Sequence, residues 1–173
     1  MTHRAAHDLP VRWFLDIDGV VSPYGLTEPW NGPSLYGGPP DSDLAVPYRR
    51  EVVQRIQRLH DSGLVDIAWL TTWDLEAADG WTDVGLGPFP VHPRRRPGHN
   101  RWWKVDAVQT WMRKHSTSRA IWTDDDISRG GLRGLDKNRL LAIAPDPRVG
   151  LTDNDLQRIE TWVLTDPESQ GRP

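Results

Sequence analysis

The chain contains no cysteine and only two methionines. The first absence excludes a disulfide framework, a thiolate nucleophile and any cysteine-held zinc or iron–sulfur centre. Lysine is scarce as well, present only as Lys104, Lys114 and Lys137 against a background of arginine. No apolar run approaches the roughly 20 residues of a membrane span. The opening "MTHRAAHDLPVR" has no apolar stretch before Val11, which argues against a secretory leader. The chain therefore reads as cytoplasmic, with no membrane partner. A net charge of −3 is too mild for a generic nucleic-acid coat. The tightest basic cluster, Arg94, Arg95 and Arg96, taken alone reads as a solvated loop.

What is present fits a folded, water-soluble protein. The apolar fraction is 37% and the charged fraction 26%, and 173 residues are enough for one real core. The expected organisation is a single domain over residues 1–173, with flexible ends at about 1–9 and 166–173. Ten tryptophans are many for this length. Most should be core or loop anchors, because the indole buries a large area while needing one N–H partner.

Along the chain, "VRWFLDID" is a short apolar run and reads as a buried strand. From Val20 to Pro47 the composition turns to Gly, Pro, Ser, Tyr and Trp, which excludes a regular helix and suggests a lid or binding loop. "YRREVVQRIQRLHDSG" spaces Val52, Ile56 and Leu59 for one helix face and ends at Gly63. "LVDIAWL" is the next strand, leading to Thr71 and Thr72, and Asp74 is placed to cap a short helix over "LEAAD". An irregular Pro- and Arg-rich region follows. "KVDAVQTWMRKH" then reads as helix, "RAIWT" as a strand running into Asp124, Asp125 and Asp126, "RLLAIA" as a strand, and "TDNDLQRIETWVL" as a closing helix capped by Thr152 or Asp153. Strands alternate with helices, so the fold class is α/β: a Rossmann-like three-layer sandwich with a mainly parallel central sheet.

In such sheets ligands bind beyond the carboxyl ends of the strands. Polar residues stand at these ends: Asp16 and Asp18, then Thr71, then Asp124 and Asp125, with Lys104 opening the intervening helix. Carboxylates from neighbouring strand ends repel unless a cation lies between them. Oxygen donors without sulfur or paired imidazole favour magnesium, and a lysine with a hydroxyl suits a phosphate. The first motif thus reads as two acids, one attacking and one handling protons, gathered about Mg²⁺. Asp126 reads as a solvated loop acid. His92 and His99 lack metal-ligand spacing, and Trp102 and Trp103 read as half core, half site wall.

D-x-D-G-V after a strand, Thr ending the second strand, a later Lys and Asp-Asp after a third strand resemble the haloacid dehalogenase-like (HAD-like) phosphatase pattern. More narrowly, "LDIDGVVSP", "WLTTWDLEAAD", "LGPFPV", "AIWTDDD" and "GLTDNDL…W" resemble the small HAD-type domain of bacterial Swiss-army-knife RNA-repair proteins. The resemblance implies Asp16 as the nucleophile forming an aspartyl-phosphate and Asp18 as the general acid/base, whose backbone carbonyl also reaches the metal. It implies Thr71 at the phosphoryl oxygens, with Thr72 the weaker candidate for substrate binding. Lys104 would neutralise the nucleophile and the transferred group. Asp124 would be a metal ligand, with Asp125 a ligand or directly behind it.

Neither insertion, Ser22 to Pro47 or Trp73 to Trp103, reads as a folded cap, so the site is expected to be capless with small flaps only. An open site suits bulky phosphorylated substrates such as a nucleic-acid end, with Arg94, Arg95 and Arg96 and nearby Trp residues as candidate backbone and base contacts. The expected function is a magnesium-dependent phosphatase, an HAD-type phosphoric monoester hydrolase acting on nucleotide or polynucleotide terminal phosphates as in RNA repair. Two alternatives stand beside it: a non-catalytic phosphate-binding or partner-docking module on the same fold, and a phosphotransferase.

Overall fold

The structure, a computed structural model, describes residues 10–24, 35–37, 46–94, 102–127 and 131–165. Its centre is a parallel sheet of β1 (Val11–Leu15), β4 (Val65–Trp69), β5 (Ala120–Thr123) and β6 (Leu140–Ile143), in the order β4-β1-β5-β6. β1 sits second in this order although it comes first in sequence. It pairs on both edges, which is why "VRWFL" is nearly continuously apolar rather than alternating.

Side chains of β1 alternate between two cores, as the period-two pleat requires. Trp13 and Leu15 join one cluster with α1 (Arg50–Asp61) and α4 (Asp153–Leu164), while Phe14 joins the other with α3 (Trp103–Lys114). The result is the expected three-layer sandwich. From α1, Val52, Val53, Ile56 and Leu59 are buried, and from α3, Val105, Val108 and Met112. α4 begins at a capping box: Thr152 Oγ1 accepts the Asp155 N–H, and the Asp155 carboxylate accepts the Thr152 N–H. This satisfies two backbone donors that a helix start would leave unpaired. Across the α1–α4 pair, Arg55 grips the Glu160 carboxylate with two donors at 3.0 and 2.9 Å.

The first insertion carries more local order than its composition suggested, and the second holds the short helix read from the sequence. The first contains an antiparallel ribbon of β2 (Leu35–Gly37) and β3 (Val46–Tyr48). The second holds α2 (Leu75–Asp79), capped by the Asp74 carboxylate accepting the Ala77 N–H at 2.9 Å, followed by a 3-10 turn over Gly80–Val84. Among the described residues, no helix is long and apolar enough to cross a membrane. Four of the tryptophans, Trp13, Trp69, Trp81 and Trp122, are fully buried, as core anchors should be.

Two glycines fix how the loop after β1 is held. Gly19 has φ +69°, and a Cβ there would lie 2.6 Å from the Asp125 carboxyl carbon. Gly150 has φ +70°, and a Cβ there would lie 2.6 Å from the Val20 carbonyl oxygen, while Leu151 N–H donates to that same oxygen at 2.8 Å. The approach to α4 is thereby tied to the first motif. Gly63, by contrast, has φ +73° with open space around it. A left-handed non-glycine residue costs about 1–2 kcal/mol, so Gly63→Ala should lose roughly that in denaturant unfolding. Gly150→Ala should lose measurably more, because its backbone clash adds to the same torsional cost. Equal losses would mean that the Gly150–Val20 approach contributes nothing.

Candidate active site

The site follows from strand register. Leu15 lies opposite Trp69 on one side and Thr123 on the other, and Thr123 lies opposite Ile143. Pairing continues one residue further: Leu70 N–H donates to Leu15 O, Asp16 N–H to Thr123 O and Asp124 N–H to Ile143 O. Asp16 and Asp124 therefore emerge side by side at the carboxyl edge, with Thr71 next along β4's exit.

Lys104, in the first turn of α3, reaches between the two acids. Its Nζ donates to Asp16 Oδ2 at 2.5 Å and to Asp124 Oδ2 at 2.7 Å, and all three residues are buried. The remaining oxygens are also engaged: Asp16 Oδ1 accepts the Ile17 N–H at 2.9 Å, and Asp124 Oδ1 accepts the Asp126 N–H at 3.0 Å. Trp102 lies beneath the ammonium, its ring centre 5.3 Å from Nζ. Burial works against the Lys104 charge, but Asp16 and Asp124 outweigh it and hold the ammonium above its ordinary range. For Asp16, burial dominates. Lys104 opposes it and Asp124 reinforces it, leaving the carboxyl pushed up to about 7. Asp125 is raised as well, by burial and then by Asp124.

Those shifts describe a charge imbalance. Asp16, Asp124 and Asp125 each offer an oxygen, all within 4.8 Å of one another, and among the described residues Lys104 is the cation paired with them. Three hard oxygen donors with surplus negative charge fit a divalent cation.

Asp18 is partly exposed and sits outside this trio. Its Oδ2 accepts the indole N–H of Trp73 at 2.8 Å. An indole donates and never accepts, so Trp73 fixes one oxygen of Asp18 as an acceptor. Trp73 was not expected at the site, since a part-buried tryptophan beside a short helix reads as packing. Thr71 is fully buried and its Oγ1 accepts the backbone N–H of Trp73 at 3.3 Å, whereas Thr72 is exposed. Asp126 is exposed, as expected for a loop acid. Tyr24 also faces the acids from the loop after β1. Partial burial, then Asp18, Asp125, Asp16 and Asp124, push its hydroxyl up to about 12, which keeps it a neutral donor.

Arg94 is exposed, with its guanidinium carbon 5.7 Å from the ring centre of Trp103. Arg95, Arg96 and His99 lie outside the described residues. Trp102 and Trp103 are both half-buried, Trp102 packing on buried Trp122 with ring centres 6.0 Å apart.

A family model described as the HAD domain in Swiss Army Knife RNA repair proteins matches residues 13–156. The match runs from β1 into the first turns of α4 and so takes in every residue of this site. No curated protein matches the chain.

The raised Asp16 sets a pH dependence. Its folded-state value near 7 exceeds the ordinary 3.8, so ionised Asp16 costs the metal-free fold stability, and that cost grows as pH rises from 3.8 through about 7. In chelator, the melting temperature of Asp16→Asn should gain on wild type across that window. Mg²⁺ should raise wild type and narrow the gap. A gap that stays constant with pH would show that Asp16 is not held as a strained buried acid.

Proposed function

Because the chain belongs to the family of HAD domains in Swiss Army Knife RNA repair proteins, we propose that it is a magnesium-dependent phosphatase. The proposed substrate is a terminal phosphate of RNA or a related polynucleotide. The observation that carries this reading is Lys104 bridging two buried acids from neighbouring strand ends, with Asp18 two residues beyond the first.

An Asp16 oxygen attacks the phosphorus while the bond to the leaving oxygen breaks, giving an aspartyl-phosphate. Asp18 donates its proton to the departing oxygen. Since the indole N–H of Trp73 holds Oδ2 as an acceptor, that proton belongs on Oδ1. Water then attacks the phosphorus, its proton returns to Asp18, and Asp16 leaves as the free carboxylate with release of inorganic phosphate. Lys104 keeps Asp16 paired between turnovers and faces the transferred phosphoryl group, where a fixed cation acts on developing charge. Thr71, buried at the end of β4, is placed better than exposed Thr72 to donate to a phosphoryl oxygen. Mg²⁺, held by Asp16, Asp124 and Asp125 with the Asp18 carbonyl as a further donor, would supply the positive charge that lets a phosphate approach three carboxylates.

Two experiments test the reading. Chelation should abolish hydrolysis of a generic aryl phosphate and added Mg²⁺ should restore it. Full activity in excess chelator would sink the metal assignment. Asp16→Asn should abolish turnover and covalent labelling by phosphate. Asp18→Asn should cost about 10²–10⁴-fold on a sugar or alkyl phosphate, and less in the first step on an activated aryl phosphate, whose leaving group needs little protonation. An Asp18→Asn enzyme unimpaired on every substrate would remove it from acid–base chemistry.

A further inference from the structure

A cavity of about 270 Å³ lies between α3 and the segment that leaves β4's edge at His92. From α3 it is lined at Trp103, Asp106, Trp111 and Lys114, with His115 just past the helix end. Ala107 and Thr110 line it too, and these i, i+3 and i+4 recurrences from 103 to 114 put the positions on one face of the helix. It is not the face carrying Val105, Val108 and Met112 into the core. An outward helix face is ordinarily polar and solvated. This one carries two indoles and a concavity.

The rings are held rather than loose. Trp111 stacks on His115 with centres 4.4 Å apart and 19° between planes, and meets buried Phe14 edge-on at 5.6 Å. His92 meets the same Phe14 edge-on at 5.9 Å. Trp103 carries the Arg94 guanidinium over its ring. Arg94 thus stands at the Trp103 end and Lys114 at the other, roughly 16 Å along the axis at 1.5 Å per residue. Asp106 lies between the two cations.

Flat aromatic walls between separated cations match a ligand that alternates planar rings with negative charges. Single-stranded nucleic acid is that ligand: bases stack on aromatic side chains and phosphates meet flanking Arg or Lys. The volume is below the ~300–1,000 Å³ of drug-sized pockets and suits one base, not a duplex, whose bases present no free face. Trp103 immediately precedes Lys104, whose ammonium joins Asp16 and Asp124. The cavity and the reaction centre are therefore built on the same helix turn.

We propose that this cavity is a base-binding subsite for a single-stranded polynucleotide whose phosphorylated end reaches Asp16. The placement of the end rests on the phosphatase reading; the base subsite itself does not.

The test is a binding measurement in the Asp16→Asn chain, which holds substrate without turning it over. A short fluorescent single-stranded RNA with a terminal phosphate is compared with an abasic strand of equal length, by anisotropy at fixed salt. Stacking is worth about 1–3 kcal/mol per base, so the base-bearing strand should bind about fivefold tighter or better. Adding Trp103→Leu should bring that ratio close to one while the abasic strand keeps its affinity. Should Trp103→Leu fail to fold, His115→Ala at an exposed position carries the same comparison. Equal binding of base-bearing and abasic strands, or a ratio unchanged in both variants, would overturn the subsite. So would an aromatic-rich phosphopeptide binding as tightly as the RNA, because the groove would then be a protein-docking face. Failure of the phosphatase reading appears elsewhere, as absent aryl phosphate turnover by wild type, and leaves this ratio unaffected.

Discussion

Everything at the carboxyl edge of the sheet depends on one buried ammonium. Register places Asp16 and Asp124 on adjacent parallel strands, and two carboxylates at such range cannot both stay ionised in a low-dielectric interior without a countercharge. Lys104 supplies it, at a cost of its own. A cation in the first turn of a helix sits at the positive end of the backbone dipole, where Asp or Glu is favoured. Two short ion pairs outweigh that penalty and hold the ammonium charged. A local rule broken at a site where the compensation is visible is a signature of function rather than of folding.

Lys104 pairs with two acids and leaves a third in excess. Asp125 can approach the pair because Gly19 has no Cβ, which would otherwise lie 2.6 Å from the Asp125 carboxyl carbon. The glycine of the first motif therefore does more than turn the chain. It makes room for an acid 106 residues later and keeps the trio in surplus negative charge, the condition a divalent cation relieves. The same loop is pinned from its other side by Gly150 and Leu151 on the Val20 carbonyl, so the closing helix α4 helps to fix the acids although it contributes none of them.

How much of this could be read in advance divides along physical lines. Buried parallel strands announce themselves as short apolar runs, and "WFLDID", "IAWL" and "AIWT" each did. The acids, Thr71 and Lys104 were legible because each breaks the pattern at a strand or helix end. Trp73 was not legible, since an indole is spent on packing far more often than on a carboxylate, and only the fold brings Nε1 to Asp18. The β2–β3 ribbon was hidden by the Gly and Pro around it, which removed any alternation to detect. The outer face of α3 was missed for a different reason. Trp111 recurs at helical spacing with Val105 and Val108, but it is only half-buried and turns one side to the cavity.

The proposed second role of α3 bears on how a site without a folded cap could be effective. Closing over a substrate strengthens electrostatic contacts by expelling water, and neither insertion offers a folded cap among the described residues. On the phosphatase reading, the groups at this edge would act on a phosphate that stays near solvent and approaches three carboxylates. Binding energy from a part of the substrate that does not react can hold the reacting end in place. A base stacked against Trp103 would do this through the backbone of one helix turn, because the residue that grips the base and the residue that neutralises Asp16 are neighbours in sequence. Recognition and chemistry would then be coupled without a lid, and a small phosphate ester lacking a base would meet the same ammonium and acids without that anchor.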